Sequence, residues 1–524
     1  MVVLKNALAV AACAAQALAV DIVVKSSGGN ETGKFGHPFG YGFLHEDINN
    51  SGDGGIYAEL IQNRAFQFSN KYSVSTAHYF PINGASLSIQ NLSAPLSKAL
   101  PASMRVAGGS GYSTGKIGFE NEGYWGIGVS QQKYTGSFWV KGAYEGSFTA
   151  SLQSNLTDDV FASVEVESKA VDGEWVEHEF ELVPEKDAPN SNNTFAVTFD
   201  AAGTKNGYLD FNLISLFPPT YKNRKNGLRV DLAEALAGMN PTFLRFPGGN
   251  MLEGLTNDTH WDWKDTLGPL KDRPGFQGVW GYQQTHGLGI MEYLEWAEDM
   301  DLQIVWGGLA LNGDVTPKDA LQPFIEDALN EIEFVTGPAD STWGAKRAAL
   351  GHPEPFELNY VEVGNEDWLA GYPGGWESYR EYRFQMFHDA IKEAYPDIQV
   401  IASAATSDPG KPNEALDFSK TPDAIGDYHP YRRPDELVEE FDRFDNDIGH
   451  IVGEVAATHV NGGQDPRWDG PLYIYPWVCI VLVRSIYSNK LTRNSGKEPS
   501  ERPSVSSATS ATLTVFPAHF TRPS

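Results

Sequence analysis

The stretch Val361-Glu362-Val363-Gly364-Asn365-Glu366-Asp367-Trp368 predicts a buried parallel strand that ends in a polar pocket. An alternating apolar run leads into it from Phe356, and Gly364 interrupts that run just before an amide, two carboxylates and an aromatic ring. The simpler alternative is a strand whose acids only cap the next helix. For an isolated Asn-Glu pair that alternative is the commoner one, but several other apolar runs in this chain end in the same way.

Apolar strands alternate with helical segments from Asn226 onward, which is the pattern of a parallel α/β fold. The predicted strands are 242–246, 303–306, 359–363, 399–403, 424–428 and 450–453. The predicted helices are 228–239, 290–300, 320–334, 376–395 and 434–444. Polar residues follow four of the strands, at 247–250, 365–366, 429–431 and 454. This placement favours a (β/α)8 TIM barrel, whose active site lies at the carboxyl ends of its strands, although a doubly wound sheet also places residues there.

Residues 72–217 have a different character, because short alternating runs replace the helical periodicity. Runs at 87–89, 136–140, 148–152, 161–166 and 195–199 are separated by Gly, Asn and Asp, which predicts a β-sandwich. Aromatic residues such as Tyr124, Trp125 and Trp139 could stack on sugar rings. Packing in the core is the commoner role for any one of them.

The charge balance limits the classes of partner. The chain has 524 residues, a formal net charge of −29 and a pI near 4.7. Nucleic acids and anionic membranes both require a basic face, so neither is expected as a partner. The sequence has no G-x-G-x-x-G or P-loop motif, so nucleotide binding has no support either.

The N-terminus has the features of a secretory signal peptide, which predicts a secreted, extracellular protein. Lys5, the apolar residues 8–15 and the motif Ala17-Leu18-Ala19 predict cleavage before Val20. The apolar stretch is too short to span a bilayer.

The two cysteines exclude a disulfide framework and a Cys-rich zinc site, because Cys13 leaves with the signal and Cys479 has no partner. Several of the N-x-S/T sequons are expected to be glycosylated. They occur at Asn30, Asn49, Asn91, Asn155, Asn192 and Asn257.

Glu366 and Glu454 follow two different predicted strands, so both are expected at one mouth of the barrel. Glycoside cleavage needs two such carboxylates. One donates a proton to the leaving oxygen, and the other attacks the anomeric carbon or activates water. The pKa values of the two carboxylates must differ. A neighbouring charge or an apolar wall produces such a difference, and Trp368 and Tyr431 are candidates for that wall.

Other catalytic classes have weaker support. A metal site could be built from Glu46, Glu366, His429 and Glu454, but no H-E-x-x-H or comparable ligand spacing accompanies them. A Ser-His-Asp hydrolase is weaker still, because the chain has no G-x-S-x-G elbow. We therefore expect no metal and no cofactor.

Six ordered segments together resemble family 51 glycoside hydrolases, specifically the secreted fungal α-L-arabinofuranosidases. The resemblance covers most of the chain, from about residue 19 to residue 471. The matching segments are His45-Glu46-Asp47-Ile48-Asn49 with Gly52-Asp53-Gly54-Gly55, Ile56-Tyr57-Ala58-Glu59-Leu60 with Asn63-Arg64-Ala65-Phe66, Phe243-Leu244-Arg245-Phe246-Pro247-Gly248-Gly249-Asn250, Val363-Gly364-Asn365-Glu366-Asp367-Trp368, Asp427-Tyr428-His429-Pro430-Tyr431 and Gly453-Glu454.

The resemblance implies a retaining, double-displacement hydrolase that removes terminal non-reducing α-L-arabinofuranosyl groups from the plant cell-wall polysaccharides arabinan and arabinoxylan. By position, Glu366 resembles the acid/base and Glu454 the nucleophile, while Asn365 resembles the group that bonds the sugar 2-hydroxyl. The residues that resemble furanose-binding groups are Glu46, Arg245 and Asn250, and those that resemble orienting or wall residues are His429 and Tyr431. A β-xylosidase or endoglucanase of the same barrel clan is the alternative, as is an inactive, truncated sugar-binding homologue.

The C-terminus departs from the family pattern near residues 471–477. From Arg484 the tail has six Lys or Arg against two Glu, is rich in Ser, Thr and Pro, and has no strand or helix period. A misread intron or frameshift near Leu472 would explain it, and a genuine divergent tail is the alternative. We expect a barrel that is incomplete at its last unit, a C-terminal β-sandwich that is largely missing, and a chain that folds poorly or is feebly active.

The expected domain organisation follows from these segments. It comprises a signal peptide (1–19), an N-terminal strand with the first barrel strand (20–71), an inserted carbohydrate-binding-like β-sandwich (72–217), the main part of the catalytic barrel (218–477) and an irregular tail (478–524).

Overall fold

The computed structural model describes residues 41–108, 115–254, 259–307, 315–369, 373–404, 415–440, 450–457 and 481–486. The predicted signal peptide, the strand expected between it and residue 40, and most of the predicted tail lie outside these ranges. None of the described helices has the length and hydropathy that crossing a membrane requires.

Strand β1 (Tyr41–Leu44) belongs to the barrel, and the chain then forms two antiparallel sheets before it returns. One sheet has the order β2-β5-β10-β7-β8 and the other β3-β4-β11-β6-β9. The five runs singled out in the sequence fall within β3, β6, β7, β8 and β10. The strands are β2 (Tyr79–Ile82), β3 (Ala85–Asn91), β4 (Ala102–Gly108), β5 (Lys116–Asn121), β6 (Tyr134–Lys141), β7 (Ser147–Ser154), β8 (Val160–Glu167), β9 (Trp175–Leu182), β10 (Asn193–Asp200) and β11 (Tyr208–Phe217).

Aromatic rings fill the space between the two sheets. Alternate side chains of each strand point inward, and the rings of Phe138 and Phe148 meet edge to face with centroids 5.2 Å apart. Trp139, on the opposite face of the same strand, is partly buried and packs against a small cluster that includes Leu100 and Leu213. Trp125 instead lies in a loop and is 75% exposed. Of these two tryptophans, only Trp125 is free to contact a large ligand.

The second half of the chain completes a closed ring of eight strands among the described residues, in the order β1-β12-β15-β16-β17-β18-β20-β22. Neighbouring strands from β1 to β20 are parallel. The six strands predicted here are confirmed; five are shorter than predicted, and β15 extends one residue further, to Gly307. The strands are β12 (Phe243–Phe246), β13 (Phe276–Gln277), β14 (Gln283–Gln284), β15 (Gln303–Gly307), β16 (Tyr360–Val363), β17 (Gln399–Ala402), β18 (Ile425–Asp427), β19 (Tyr431–Arg432), β20 (His450–Ile451), β21 (Ala456–Ala457) and β22 (Val481–Ile486).

The barrel was predicted to be incomplete at its last unit, but the ring of the described residues is not left open there. Strand β22 lies between β1 and β20 and is antiparallel to both, with Val483 opposite Gly42 and Ser485 opposite Ile451. The prediction took the tail as uniformly irregular and overlooked its short apolar, β-branched run, whose composition suits a strand. An open sheet edge offers unpaired N–H and C=O groups that such a strand can pair with. The ring is thus closed, but by a strand of the opposite direction.

The longer helices pack against the outside of the ring, whereas the short helix Gly249–Glu253 follows the carboxyl end of β12. The described α-helices are Val230–Ala237, Gly249–Glu253, Ile290–Asp299, Gln322–Thr336, Gly344–Ala349, Gly375–Ser378, Phe384–Ala394 and Pro434–Glu439. The single helix predicted at 376–395 is interrupted by a π-helical turn, Tyr379–Arg383. That turn aims the Tyr379 hydroxyl at the carbonyl of Val363, 2.6 Å away, and Arg383 at Asp367, so the irregularity supports the end of β16.

The two-residue period of the strands sorts their side chains into two environments. Leu244 and Phe246 pack outward against the helices, whereas Phe243 belongs to an apolar cluster inside the ring. The other members of the interior cluster are Leu44, Val305, Tyr360, Ile401, Ile425, Tyr428, Ile451 and Val452. Residues two positions beyond Phe243, Tyr360 and Ile425 therefore point into the ring nearer its carboxyl end, and these residues are Arg245, Glu362 and Asp427.

Candidate active site

Arg245 organises the charged layer above the apolar interior. Its Nε and Nη2 donate to the two oxygens of Glu362 at 2.5 and 3.0 Å, and Nη1 donates to Glu454 Oε1 at 2.9 Å. Nη2 also donates to Asn365 Oδ1 at 3.0 Å. Arginine suits this position because its planar fork has five donors and remains charged when buried. This guanidinium, which belongs to β12, thus connects residues that belong to or follow two other strands, β16 and β20.

Glu366 follows β16 in a left-handed turn, with φ of 92° at Gly364 and 45° at Glu366. A side chain at Gly364 would collide with the carboxylate of Asp367. That carboxylate is itself held by Ser403 Oγ at 2.5 Å and by Arg383. Positive φ is unfavourable for a glutamate, so these contacts keep a strained turn in place. The Glu366 side chain is 14% exposed, so it reaches the open end of the ring.

His429 joins Glu366 to the charged layer. Its Nδ1 lies 2.9 Å from Glu366 Oε1, and its Nε2 lies 2.7 Å from Asp427 Oδ2. Burial opposes a charge on the imidazole, but Asp427, Glu454 and these hydrogen bonds outweigh it and raise the pKa of His429 well above its ordinary value. His429 is therefore an imidazolium that donates from both nitrogens. The ring of Trp368 approaches it edge-on, with centroids 5.8 Å apart.

Several donors and charges stabilise the anionic form of Glu454. Its Oε2 accepts a hydrogen bond from the Tyr431 hydroxyl at 2.7 Å and lies 3.6 Å from His429 Nδ1, while Oε1 faces Arg245. Burial by itself raises the pKa of Glu454, but His429, Arg245 and Tyr431 more than offset burial and hold it below the ordinary value. Tyr431 was expected as a wall, and it acts here as a hydrogen-bond donor.

The preceding residue, Gly453, leaves no room for a side chain. Its amide donates to Asp427 Oδ1 at 2.5 Å, and a Cβ there would collide with the same carboxylate. Strands β19 and β21 then pair Tyr431 with Ala456. This short ladder holds the Tyr431 segment beside Glu454.

Glu46 lies on the loop that follows β1 and is almost fully buried. Its Oε1 accepts hydrogen bonds from the Met251 amide at 3.0 Å and from Trp280 Nε1 at 2.9 Å. Burial and the nearby charge of Glu454 raise the pKa of Glu46 to about 8. Glu46 is consequently a neutral acid at acidic and neutral pH, and it can donate as well as accept a hydrogen bond.

The structure brings most of the predicted site residues into direct contact. Arg245, Asn365, Glu366, His429, Tyr431 and Glu454 form one network of hydrogen bonds and ion pairs. Asn250 is linked to it through Glu253, and Glu46 interacts electrostatically with Glu454.

Sequence reasoning missed Glu362, Asp427, Glu253 and Trp280. Glu362 and Asp427 could have been found from strand alternation, because each stands two residues after an inward apolar residue. Trp280 belongs to the hairpin of β13 and β14, and no local sequence signal connects that hairpin with Glu46.

Two trios of side chains among the described residues could hold a metal ion. They are Glu362–Asp427–His429 and Glu366–His429–Glu454, and within each trio the ligand atoms lie within 4.8 Å of one another. Protein donors already occupy these groups, and the Arg245 guanidinium lies against both trios. The positive charge of Arg245, so close to both trios, disfavours the binding of a metal cation there. The donor set fits proton transfer better than metal ligation, and the expected absence of a metal stays a prediction.

The two carboxylates differ in what they can do chemically. Glu454 is held ionised by a guanidinium, an imidazolium and a phenol, whereas Glu366 has one described donor, His429, and faces the opening. Their nearest oxygens lie within 4.8 Å of each other. A retaining glycosidase has carboxyl groups about 5–5.5 Å apart, and an inverting one about 6.5–9.5 Å. The arrangement can therefore supply a nucleophile and a proton donor to one small substrate.

Comparisons with known proteins find relatives that are named α-L-arabinofuranosidases. A sequence model described as the alpha-L-arabinofuranosidase 1 domain matches residues 235–448. The probable alpha-L-arabinofuranosidase A of Aspergillus terreus is 40% identical over 485 residues, which is 91% of this chain and 72% of the relative. The alpha-L-arabinofuranosidase A of Aspergillus kawachii is 40% identical over 87% of this chain and 71% of its own length. Among solved structures, the arabinose-bound MgGH51 α-L-arabinofuranosidase has a TM-score of 0.74 and 40% identity, with coverage of 81% of this chain and 68% of that chain.

Proposed function

The chain belongs to the α-L-arabinofuranosidases of glycoside hydrolase family 51, and we propose that it removes terminal non-reducing α-L-arabinofuranosyl groups from arabinan and arabinoxylan with retention of configuration. The observation that carries this proposal is the distance between Glu366 and Glu454, whose nearest oxygens lie within 4.8 Å. That separation suits a direct attack by one carboxylate and leaves no space for the water that an inverting mechanism requires.

In the first step, a Glu454 oxygen attacks the anomeric carbon while Glu366 transfers its proton to the glycosidic oxygen. The bond between that carbon and the leaving oxygen breaks, and an arabinosyl ester of Glu454 forms. Arg245 and Tyr431 keep Glu454 ionised and oriented for this attack. Preorganised donors of this kind do not need to reorient during the reaction.

In the second step, the Glu366 carboxylate removes a proton from water, and the water oxygen attacks the same carbon. The ester bond breaks, Glu454 is released as a carboxylate, and arabinose leaves in its original α configuration. His429 Nδ1 lies 2.9 Å from Glu366 Oε1 and 3.6 Å from Glu454 Oε2, so the imidazolium can stabilise whichever of the two carboxylates is charged.

Polar groups around the pair supply the recognition of the furanose. Asn365 bonds the 2-hydroxyl, and the hydrogen bond from Arg245 to its Oδ1 supports this role because it fixes the orientation of the amide. Glu46 and Asn250 bind other hydroxyls of the ring. Glu46, as a neutral acid held by Met251 and Trp280, offers both a donor and an acceptor.

The sandwich offers a contact for the polysaccharide beyond the sugar that is cleaved. The loop after β1 lies at the carboxyl end of the barrel, where the site is, and Gly54 of this loop lies against the ring of Tyr124. The next residue, Trp125, is 75% exposed. A large exposed aromatic residue that follows Tyr124 suits stacking on a further sugar ring of the polysaccharide. The acidic chain and its signal-like N-terminus support an extracellular setting, in which plant cell-wall polysaccharides are found.

The proposal is tested with the full chain on 4-nitrophenyl α-L-arabinofuranoside, with 4-nitrophenyl β-D-xylopyranoside as the comparison substrate. We expect turnover of the arabinofuranoside in large excess, its loss in Glu454→Ala, and a smaller reduction of kcat/KM in Glu366→Ala, because nitrophenolate leaves with little help from an acid. Preferred turnover of the xyloside would contradict the substrate assignment, and activity that survives Glu454→Ala would contradict the roles.

A further inference from the structure

Glu253 is an acidic residue of the site that the mechanism above does not use. It ends the short helix Gly249–Glu253 directly after β12, and the chain turns away at Gly254 with φ of 68°. The side chain is partly buried. It therefore lies at the carboxyl end of the barrel, on the same helix as Asn250.

One oxygen of Glu253 contacts both amides that the proposed mechanism assigns to the sugar. Asn250 Nδ2 donates to Glu253 Oε2 at 2.7 Å, and Asn365 Nδ2 makes a longer contact with the same oxygen at 3.5 Å. The two asparagines come from different strand ends, after β12 and after β16. Glu253 is thus a shared acceptor between them.

The orientation of Asn365 is fixed from both ends. Arginine only donates hydrogen bonds, so the amide atom that faces Arg245 must be Oδ1. Nδ2 consequently points the other way, toward Glu253. An amide nitrogen has two hydrogens, so one can bond Glu253 while the second remains for a sugar hydroxyl. Nδ2 of Asn250 likewise has a second hydrogen for a sugar hydroxyl while its first bonds Glu253.

The charge around Glu253 suits a neutral acceptor. Burial, followed by the charge of Asp367 and, more weakly, that of Glu366, raises the pKa of Glu253 to about 8. Below that pH the group is a carboxylic acid, whose carbonyl oxygen still accepts two hydrogen bonds. It adds no negative charge beside Glu366. Glutamine reproduces these properties, because it has the same length, no charge and one acceptor oxygen.

We propose that Glu253 is a positioning residue, which orients the amides of Asn250 and Asn365 for the furanose hydroxyls through one shared acceptor oxygen. This role rests on the proposed function. It acts through the two asparagines, so a loss of the acceptor weakens the hydroxyl contacts. Hydrogen bonds to the 2-hydroxyl strengthen in the transition state, so the loss is expected mainly in kcat rather than in KM.

The test compares Glu253→Gln, which keeps the acceptor oxygen, with Glu253→Met, which has similar volume and no such acceptor. With the full chain and 4-nitrophenyl α-L-arabinofuranoside, we expect kcat/KM of Glu253→Gln within about threefold of wild type and that of Glu253→Met lower by about 10- to 100-fold. Equal values for the two variants would overturn the role, because packing alone does not distinguish them. Glu295→Met is the matched control, since Glu295 is also partly buried with a pKa raised by burial but lies on an outer helix.

A double-mutant cycle makes the test independent of folding. In a background that carries both Asn250→Ala and Asn365→Ala, Glu253→Met is expected to fall below Glu253→Gln in kcat/KM by less than about threefold, because both amides that the acceptor orients are gone. An undiminished difference there would contradict the proposal even if both single variants were active. Failure of the proposed function has a different signature, which is a wild-type chain without turnover of the arabinofuranoside.

Discussion

One oxygen of Glu366 and one oxygen of Glu454 lie within 4.8 Å of each other, and the imidazole of His429 lies against both carboxylates. The two glutamates follow different strands, so this closeness is a property of the closed ring and not of the local sequence. It gives two acids of one type different chemical environments. Their separate roles can be tested one residue at a time.

Glu366→Ala is expected to lower kcat/KM by about 100- to 10,000-fold on a substrate with a poor leaving group, such as an arabinosyl-xylose, because the general acid is lost. A nitrophenolate leaving group needs little protonation, so the loss on its arabinofuranoside is expected to be smaller. Added azide is expected to restore turnover and to give the α-arabinosyl azide. Equal losses on both substrates would contradict the assignment.

Tyr431→Phe is expected to move the acidic limb of the kcat/KM profile to higher pH. Burial raises the pKa of Glu454, and His429, Arg245 and the Tyr431 hydroxyl together bring it below 4.5. Loss of the hydroxyl removes one of these stabilising contacts. The matched control is Tyr382→Phe. The Tyr382 hydroxyl donates to the Thr316 carbonyl oxygen at 2.8 Å and makes no described contact with Glu366 or Glu454.

The lowered pKa of Glu454 also makes the stability of the fold depend on pH. Because the pKa of Glu454 is lower in the folded state, its contribution is present above 4.5 and is lost as the pH falls through the folded value. An acidic limb that does not move in Tyr431→Phe would contradict the role of this hydrogen bond.

Arg245→Met is expected to lower the free energy of unfolding by about 3–5 kcal/mol, because it leaves Glu362 and Glu454 buried without their shared cation. Urea unfolding followed by tryptophan fluorescence measures this change. The control is Arg229→Met, which removes an exposed ion pair with Asp231 and is expected to cost less than about 0.5 kcal/mol. A similar small cost for both variants would show that the buried network is not needed for folding.

Trp125→Ala is expected to raise KM for arabinoxylan by about three- to tenfold, because a stacking contact of about 1 kcal/mol is lost. Turnover of the small nitrophenyl substrate is expected to stay unchanged, since that substrate cannot reach the sandwich. Phe80→Ala removes another exposed ring of the sandwich, one that is 45% exposed, and is expected to affect neither. Equal KM values for arabinoxylan in the two variants would exclude a specific role for Trp125.

The barrel and its polar rim could be predicted from the sequence because both follow local rules. Apolar runs interrupted by glycine, as at Val363-Gly364 and Val452-Gly453, mark strand ends where the backbone turns sharply. The inward charged layer was also present in the pattern, since Arg245 and Glu362 stand two residues after inward apolar residues. Their pairing was not predictable, because it depends on which strands become neighbours.

The features of the structure that the sequence analysis did not predict arise from contacts between residues far apart in the chain. Strand β22 forms because two ring edges are available to it, which the composition of the tail does not reveal. Trp280 reaches Glu46 from a hairpin that has no strong strand signal of its own. The expectation that this chain folds poorly or is feebly active stays a prediction, and the urea unfolding of the wild-type chain measures it directly.

The most direct test of the whole account is to trap the sugar on the protein. Glu366→Ala mixed with 2,4-dinitrophenyl α-L-arabinofuranoside can form the arabinosyl ester but hydrolyses it slowly, because no base activates water. Peptide mapping by mass spectrometry is predicted to find one arabinosyl group on the peptide that contains Glu454. An arabinosyl group on Glu362 or Glu46, or turnover without any covalent intermediate, would contradict the assignment of Glu454 as the nucleophile.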